Sequence, residues 1–176
     1  RIFEYNGANW VQLGSDIDGE AAGDKSGYTV SLSGDGNRVA IGGRYNDDGG
    51  NQAGYIRVFE YNGANWVQLG SDIDGEAAGD VFGSSVAIDE DGSHFAAGAA
   101  GNDDGGNNAG HVRIFEYNGN NWVQVGSDID GEAANDRSGE AVSIDSDGDR
   151  VAIGAPGNDG SGNNAGHVRI FEYNGA

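Results

Sequence analysis

The sequence predicts an all-β protein assembled from 56-residue repeats, each folding as a small four-stranded antiparallel sheet. Three observations carry this. The stretch Arg1-Ile2-Phe3-Glu4-Tyr5-Asn6-Gly7 returns at 57–63 with Val58 for Ile, at 113–119 and at 169–175, always 56 residues further on. Short β-branched and aromatic runs end in Asn-Gly, Asp-Gly or single-glycine turns. No stretch keeps the i, i+3, i+4 apolar spacing of an amphipathic helix. The repeats run over 1–56, 57–112 and 113–168, and residues 169–176 start a fourth.

The third copy shows the elements in order. Val112-Arg113-Ile114-Phe115-Glu116-Tyr117 reads as a strand closed by Asn118-Gly119, the strongest short hairpin signal. Asn121-Trp122-Val123-Gln124-Val125 is its antiparallel partner, stopped by Gly126. The acidic stretch 127–136 reads as a loop. Glu140-Ala141-Val142-Ser143-Ile144-Asp145 is the next strand, and Asp147-Gly148 turns it into Arg150-Val151-Ala152-Ile153-Gly154. The Asn/Asp/Gly-rich residues 158–166, like 46–54 and 102–110, read as a flexible loop returning to the next copy.

Side-chain alternation then narrows the architecture. Val112 and Ile114 point to one face of their strand, Phe115 and Tyr117 to the other. Sheets that are apolar on both faces require a neighbour on each side, which radially packed propeller blades supply; an open stacked array of repeats is the alternative. Ala152 and Gly154 would allow one face of their strand to approach the next blade closely. Trp10, Trp66 and Trp122 share one repeat position and read as interblade core. Taken strand by strand, the chain opens with the last two strands of one blade, continues through two whole blades and finishes with the first three strands of another.

Composition bounds the partners. Nine basic against 29 acidic residues give a net charge of -20, spread over all copies. Nucleic acid and anionic membranes both need a basic footprint and are poor partners; calcium or a cationic surface fits better. The chain has no cysteine, hence neither disulfides nor a thiolate metal site. No apolar run is long enough for a membrane helix, so membrane insertion is not expected. The absence of Met at the start, in mid-repeat, reads as a processed product or a segment of something longer. The 34 glycines follow no Gly-X-Y period and belong to turns.

Gly79-Asp80-Val81-Phe82-Gly83-Ser84-Ser85-Val86-Ala87-Ile88, together with Gly154-Ala155-Pro156 after a strand, resembles the FG-GAP repeat of integrin alpha-subunit propellers and of many secreted microbial proteins. The copies are degenerate: Ser26-Gly27 and Ser138-Gly139 replace Phe-Gly, while Gly42-Gly43-Arg44 and Gly98-Ala99-Ala100 replace Gly-Ala-Pro. The resemblance implies four-stranded blades, usually seven to a ring, working outside the cell in adhesion or recognition. Three periods do not fill such a ring. The chain is then part of a longer propeller, or closes with copies of itself, or stacks as an open array. Unpaired terminal strands are the edges through which joining would occur.

The candidate metal ligands are the carboxylates at positions 1, 3, 5 and 9 of the acidic loop: Asp16, Asp18, Glu20 and Asp24; Asp72, Asp74, Glu76 and Asp80; Asp128, Asp130, Glu132 and Asp136. Calcium takes roughly six to eight oxygen ligands, which a wrapping loop can supply. The spacing is not that of an EF-hand, and a solvated acidic loop with turn-capping Asp residues is the other reading. By the family resemblance, calcium would instead occupy the hairpin at Asp145-Ser146-Asp147-Gly148-Asp149, at Asp89-Glu90-Asp91 and at the sparser Ser33-Gly34-Asp35. That loop is short for the family motif, and an Asp-Gly turn explains it without metal.

His111 and His167 share a position with Tyr55, and His94 stands where Arg38 and Arg150 do, which reads as surface or edge packing. Arg1, Arg57, Arg113 and Arg169 read as partners of neighbouring carboxylates along the stacked strands, pairs that contribute little at exposed sites. No catalytic or cofactor-binding residue emerges, because sites copied three times do not build one specialised pocket. The expectation is a non-enzymatic, extracellular or surface-displayed structural or adhesive protein that assembles with itself or presents repeated surfaces, with calcium as stabiliser. The alternative is a soluble module binding glycans or extracellular proteins. Its acidic surface would suit a saline medium.

Overall fold

The computed structural model describes residues 1–175. Ala176, the last residue of the fourth copy's stub, lies outside the described residues. Among these are fifteen strands and no helix, set in small antiparallel sheets that close no barrel. Strands β1 (Phe3–Tyr5) and β2 (Trp10–Gln12) form a hairpin. A first full sheet contains β3 (Thr29–Leu32), β4 (Arg38–Gly43), β5 (Tyr55–Tyr61) and β6 (Trp66–Gln68) in that order, with β7 (Ile73–Asp74) also on β5. The second repeats it with β8 (Ser85–Ile88), β9 (His94–Ala99), β10 (His111–Tyr117), β11 (Trp122–Gln124) and β12 (Ile129–Asp130). Last come β13 (Ala141–Ile144), β14 (Arg150–Ala155) and β15 (His167–Glu172). These are blade-like repeats of two, five, five and three strands.

Each hairpin has its cause in the sequence. In the β5–β6 turn, Asn62 Oδ1 accepts from the backbone N–H groups of Ala64 and Asn65, and Gly63 takes a φ of 91° that a side chain would resist. The alternation fixes the register, pairing Tyr61 with Trp66 and Phe59 with Gln68. One element was hidden: within the acidic loop, Ile73 and Asp74 pair with Ile56 and Tyr55, so β7 continues along the edge of β5 where β6 stops. Two residues give no period to read.

The two-faced strands are buried on both faces. Val112 packs with Ala96, Val151 and Ile153 towards the following sheet, whereas Phe115 packs towards the preceding one with Phe95, Trp122, Ile56 and Val58. Phe95 stacks on Phe115 at 5.1 Å between centroids and meets Trp122 edge-on at 4.9 Å. The indole N–H of Trp66 donates to the Leu13 carbonyl (2.9 Å), and that of Trp122 to the Leu69 carbonyl (2.8 Å). Each such bond ties one sheet to the chain of its predecessor.

First strands lie side by side, and their contacts are partly polar. Thr29 Oγ1 donates to the Gly83 carbonyl (2.9 Å) and Ser85 Oγ to the Gly139 carbonyl (2.6 Å). Between these layers the backbone comes so close at Gly98 that a Cβ there would strike the Gly139 carbonyl. At Gly154, the same repeat position on the last sheet, the nearest atoms are at 3.5 and 3.6 Å. Gly98→Ala is therefore expected to destabilise by about 1–3 kcal/mol through overpacking, read as a lowered denaturant midpoint, while Gly154→Ala leaves the midpoint near that of the wild type. Equal effects at the two positions would contradict the interblade packing.

Candidate metal sites in the interblade linkers

The acidic loops are the linkers between successive sheets, and the structure divides their carboxylates by task. The ninth position anchors the linker. Asp24, Asp80 and Asp136 are buried; each accepts from the backbone N–H three residues earlier (Ala21, Ala77, Ala133) and from the amide of Asn46, Asn102 or Asn158. Those buried Asn residues open the segments expected to be flexible. Instead, Asp47, Asp103 and Asp159 cap the N–H groups of Gln52, Asn108 and Asn164, which all hold positive φ. The returning loops are fixed Asx-type turns.

The third position acts through its backbone. Arg57, Arg113 and Arg169 donate from Nη2 to the carbonyls of Asp18, Asp74 and Asp130, at 2.8, 2.8 and 2.6 Å. Their Nη1 atoms lie 3.5, 3.6 and 3.9 Å from Glu20, Glu76 and Glu132, the fifth-position residues. Arg57 and Arg113 are only 6% exposed, which corrects the expectation of solvent-facing pairs. Their guanidinium planes rest on aromatic rings, Arg113 at 4.1 Å from the Phe82 ring centroid. In the third copy Ser138 occupies the Phe82 position, and its hydroxyl accepts from Arg169 at 3.3 Å.

Of the first-position residues, Asp16 is exposed, whereas Asp72 and Asp128 are half-buried. Asp16 accepts from Gln12 (2.7 Å) and pairs with Arg1 (2.9 Å), and these hydrogen bonds hold its carboxyl below the usual carboxylate range. Asp72 and Asp128 accept likewise from Gln68 and Gln124. Burial pushes the Glu20 carboxyl up, helped by a hydrogen bond and charge repulsion from Asp72, and pushes Asp74 up beside Asp72 and Asp48.

The four carboxylates of one linker therefore do not converge on a common point. What does converge joins linker carboxylates to residues outside the linker motif, across two repeats in one case and within the third repeat in the other. Glu76, Asp104, His111 and Asp128 bring ligand atoms within 4.8 Å of one another, as do Glu132, Asp136 and His167. These are acidic clusters able to hold a metal ion. His111 is fully buried, correcting its reading as a surface residue, and burial together with Arg113 lowers its pKa, favouring the neutral imidazole. Asp104 and the histidines lie outside the linker motif, so no local spacing announced them.

The hairpins that the family resemblance implied for calcium are occupied by turn hydrogen bonds. Asp145 Oδ1 accepts from the N–H groups of Asp149 and Arg150, both at 3.1 Å, and Asp35 Oδ1 accepts from Ser33 and Asn37. In the second copy Asp89 Oδ2 accepts from the His94 N–H (3.0 Å), with the His94 ring at 2.9 Å. These residues fit closed Asp-Gly turns better than a calcium cage. Asp80→Ala is expected to destabilise by about 1–3 kcal/mol by removing the buried acceptor of the Asn102 amide and the Ala77 N–H, equally in calcium and in chelator. A loss confined to calcium-containing buffer would make Asp80 a metal ligand instead of an anchor.

Comparison with known proteins adds three findings. No curated protein matches the sequence. Over 90% of this chain, the fold is similar to Kuenenia stuttgartiensis hydrazine synthase at a TM-score of 0.49 and 11% identity, and the match spans 36% of that chain. The family model described as FG-GAP repeat matches residues 72–115 and 128–171, together half of the chain. Such repeats often bind calcium and occur in extracellular and surface proteins; no helix among the described residues is long and apolar enough to cross a membrane. Phe82-Gly83 and Gly154-Ala155-Pro156 both fall within the matches, and the chain belongs to the FG-GAP repeat family, whose β-propeller-like modules are generally non-catalytic.

Proposed function

We propose that this chain is an extracellular or surface-displayed structural and adhesive module that joins to a second copy of itself through its end blades. One observation carries the reading: apolar residues buried inside the stack are exposed at its ends. Val168 and Ile170 are 67% and 72% exposed, against 0% and 1% for Ile56 and Val58 at the same repeat positions. Trp10 is 70% exposed, against 9% and 6% for Trp66 and Trp122. Contiguous apolar surface of this kind marks an interaction face.

The two ends are complementary. At the C-terminal end, a cavity of about 200 Å3 is lined by Ile114, Val125, Ile129, Ile144, Val151 and Phe171. Val125 holds the repeat position of Leu13 and Leu69, whose carbonyls receive Trp66 and Trp122, so the fitting occupant is a Trp-Val-Gln strand. At the N-terminal end, Trp10 opens such a strand, and the same end has a cleft lined by Ile2, Phe3, Val30, Leu32, Val39 and Ile41. Head-to-tail contacts of this kind generate rings or filaments. Calcium, held by linker carboxylates such as Asp16, Glu20 and Asp72, would neutralise repulsion between chains of charge -20.

Light scattering on the purified chain at micromolar concentration tests both parts. The expected result is a defined multimer in millimolar calcium that dissociates in chelator. A multimer indifferent to chelator would keep the joining and remove calcium from it. A folded monomer in both buffers would overturn the proposal.

A further inference from the structure

His111 opens β10 with no solvent exposure, and neither ring nitrogen has a hydrogen-bond partner among the described residues. Buried polar atoms are normally satisfied, so a doubly unpartnered imidazole indicates a ligand. Its Nδ1 faces Asp128 Oδ2 at 3.8 Å and Glu76 Oε2 at 4.0 Å. Asp104 completes the group. The four residues arrive on separate segments: Glu76 on the linker after β7, Asp104 between β9 and β10, Asp128 between β11 and β12. We propose that Glu76, Asp104, His111 and Asp128 form a binding site for a divalent transition-metal ion of the zinc class.

The ligand chemistry selects that class. One imidazole nitrogen with carboxylate oxygens suits zinc and its neighbours, whereas calcium and magnesium favour oxygen alone. Three carboxylates gather here, and Arg113 pairs with one of them, Glu76, at 3.6 Å, so the pocket carries the excess negative charge that a divalent ion cancels. Ligand atoms around tetrahedral zinc stand about 3.3 Å apart, closer than the 4.8 Å limit found here. Glu76 and Asp104 are exposed and can swing inward, while His111 and its backbone stay fixed.

The chain supplies its own comparisons. The first copy has Glu20, Asp48 and Asp72 at the corresponding positions but Tyr55 in place of His111, which removes the nitrogen. The third copy keeps Glu132 and His167 but has Gly160 in place of Asp104. Its other grouped carboxylate, Asp136, is already held by Asn158 and the Ala133 N–H. Only the group around His111, three residues of the second copy with Asp128 of the third, unites all four ligands among the described residues.

The test is zinc titration calorimetry of the whole chain in millimolar calcium, which occupies non-specific carboxylates, together with the visible spectrum of the cobalt(II) form. About one zinc per chain should bind, with the intense bands of low-coordinate cobalt. His111→Tyr and Asp104→Gly install residues the chain tolerates elsewhere and should each weaken zinc binding about tenfold or more, whereas His167→Tyr should not. Zinc binding unchanged in both site variants would overturn the proposal, as would zinc heats abolished by calcium or the absence of any saturable binding.

Discussion

The structure depends on one constraint: every sheet is apolar on both faces, so no sheet is stable without a neighbour on each side. Burying both faces of β5 and β10 removes side chains such as Ile56, Val58, Val112 and Phe115 from water in two directions at once. The hydrophobic gain is non-directional and would tolerate many docking angles. Orientation comes instead from a few directional contacts between neighbours, chiefly the indole N–H of Trp66 or Trp122 on the preceding carbonyl and the Thr29 and Ser85 hydroxyls on backbone oxygens. Gly42 and Gly98 then allow the backbones to approach where any Cβ would intrude. Packing supplies the driving force, and these contacts set the geometry.

The same constraint explains why so acidic a chain contains buried arginines. Each linker must cross from the outer edge of one sheet to the first strand of the next, leaving backbone carbonyls without strand partners. Arg57 and Arg113 reach in from the recurrent strand, take the Asp18 or Asp74 carbonyl, and face the Glu20 or Glu76 carboxylate. Aromatic rings cover the guanidinium faces, so Phe82, the literal Phe of the Phe-Gly motif, works as a platform for Arg113. The linker carboxylates thus divide between holding the chain in place and facing outward. Charge and fold are coupled through these contacts in each repeat.

The sequence made the repeating part of this legible. Hairpins ending in Asn-Gly, the alternation of Val112, Ile114, Phe115 and Tyr117, and the interblade position of the tryptophans all follow from local rules of period two and turn chemistry. What escaped was set by contacts between copies. Two-residue strands such as β7 have no pattern to detect, and their pairing is dictated by where the linker must run. Spacing grouped Asp72, Asp74, Glu76 and Asp80 as one set, whereas in space Glu76 joins Asp104, His111 and Asp128. His111 looked like a surface residue because Tyr replaces it in another copy. Both are buried at that position, and the substitution exchanges chemistry, not exposure.

The central claim is that the end blades join as the inner ones do, and the cysteine-free sequence permits a direct measurement. Inside the chain, Ser15 Oγ lies 3.0 Å from Asn65 Oδ1, next to the Trp66 anchor, and the Ser71 N–H bonds the Asn121 side chain at 2.9 Å. Continuing that series, Ser127 should meet Asn9 of a second copy. A Ser127→Cys, Asn9→Cys double variant is oxidised and run on a non-reducing gel, with Ser15→Cys, Asn65→Cys as the intramolecular control. Covalent dimers and higher multimers are the result this account predicts. A chain that stays monomeric while the control closes its disulfide would contradict it.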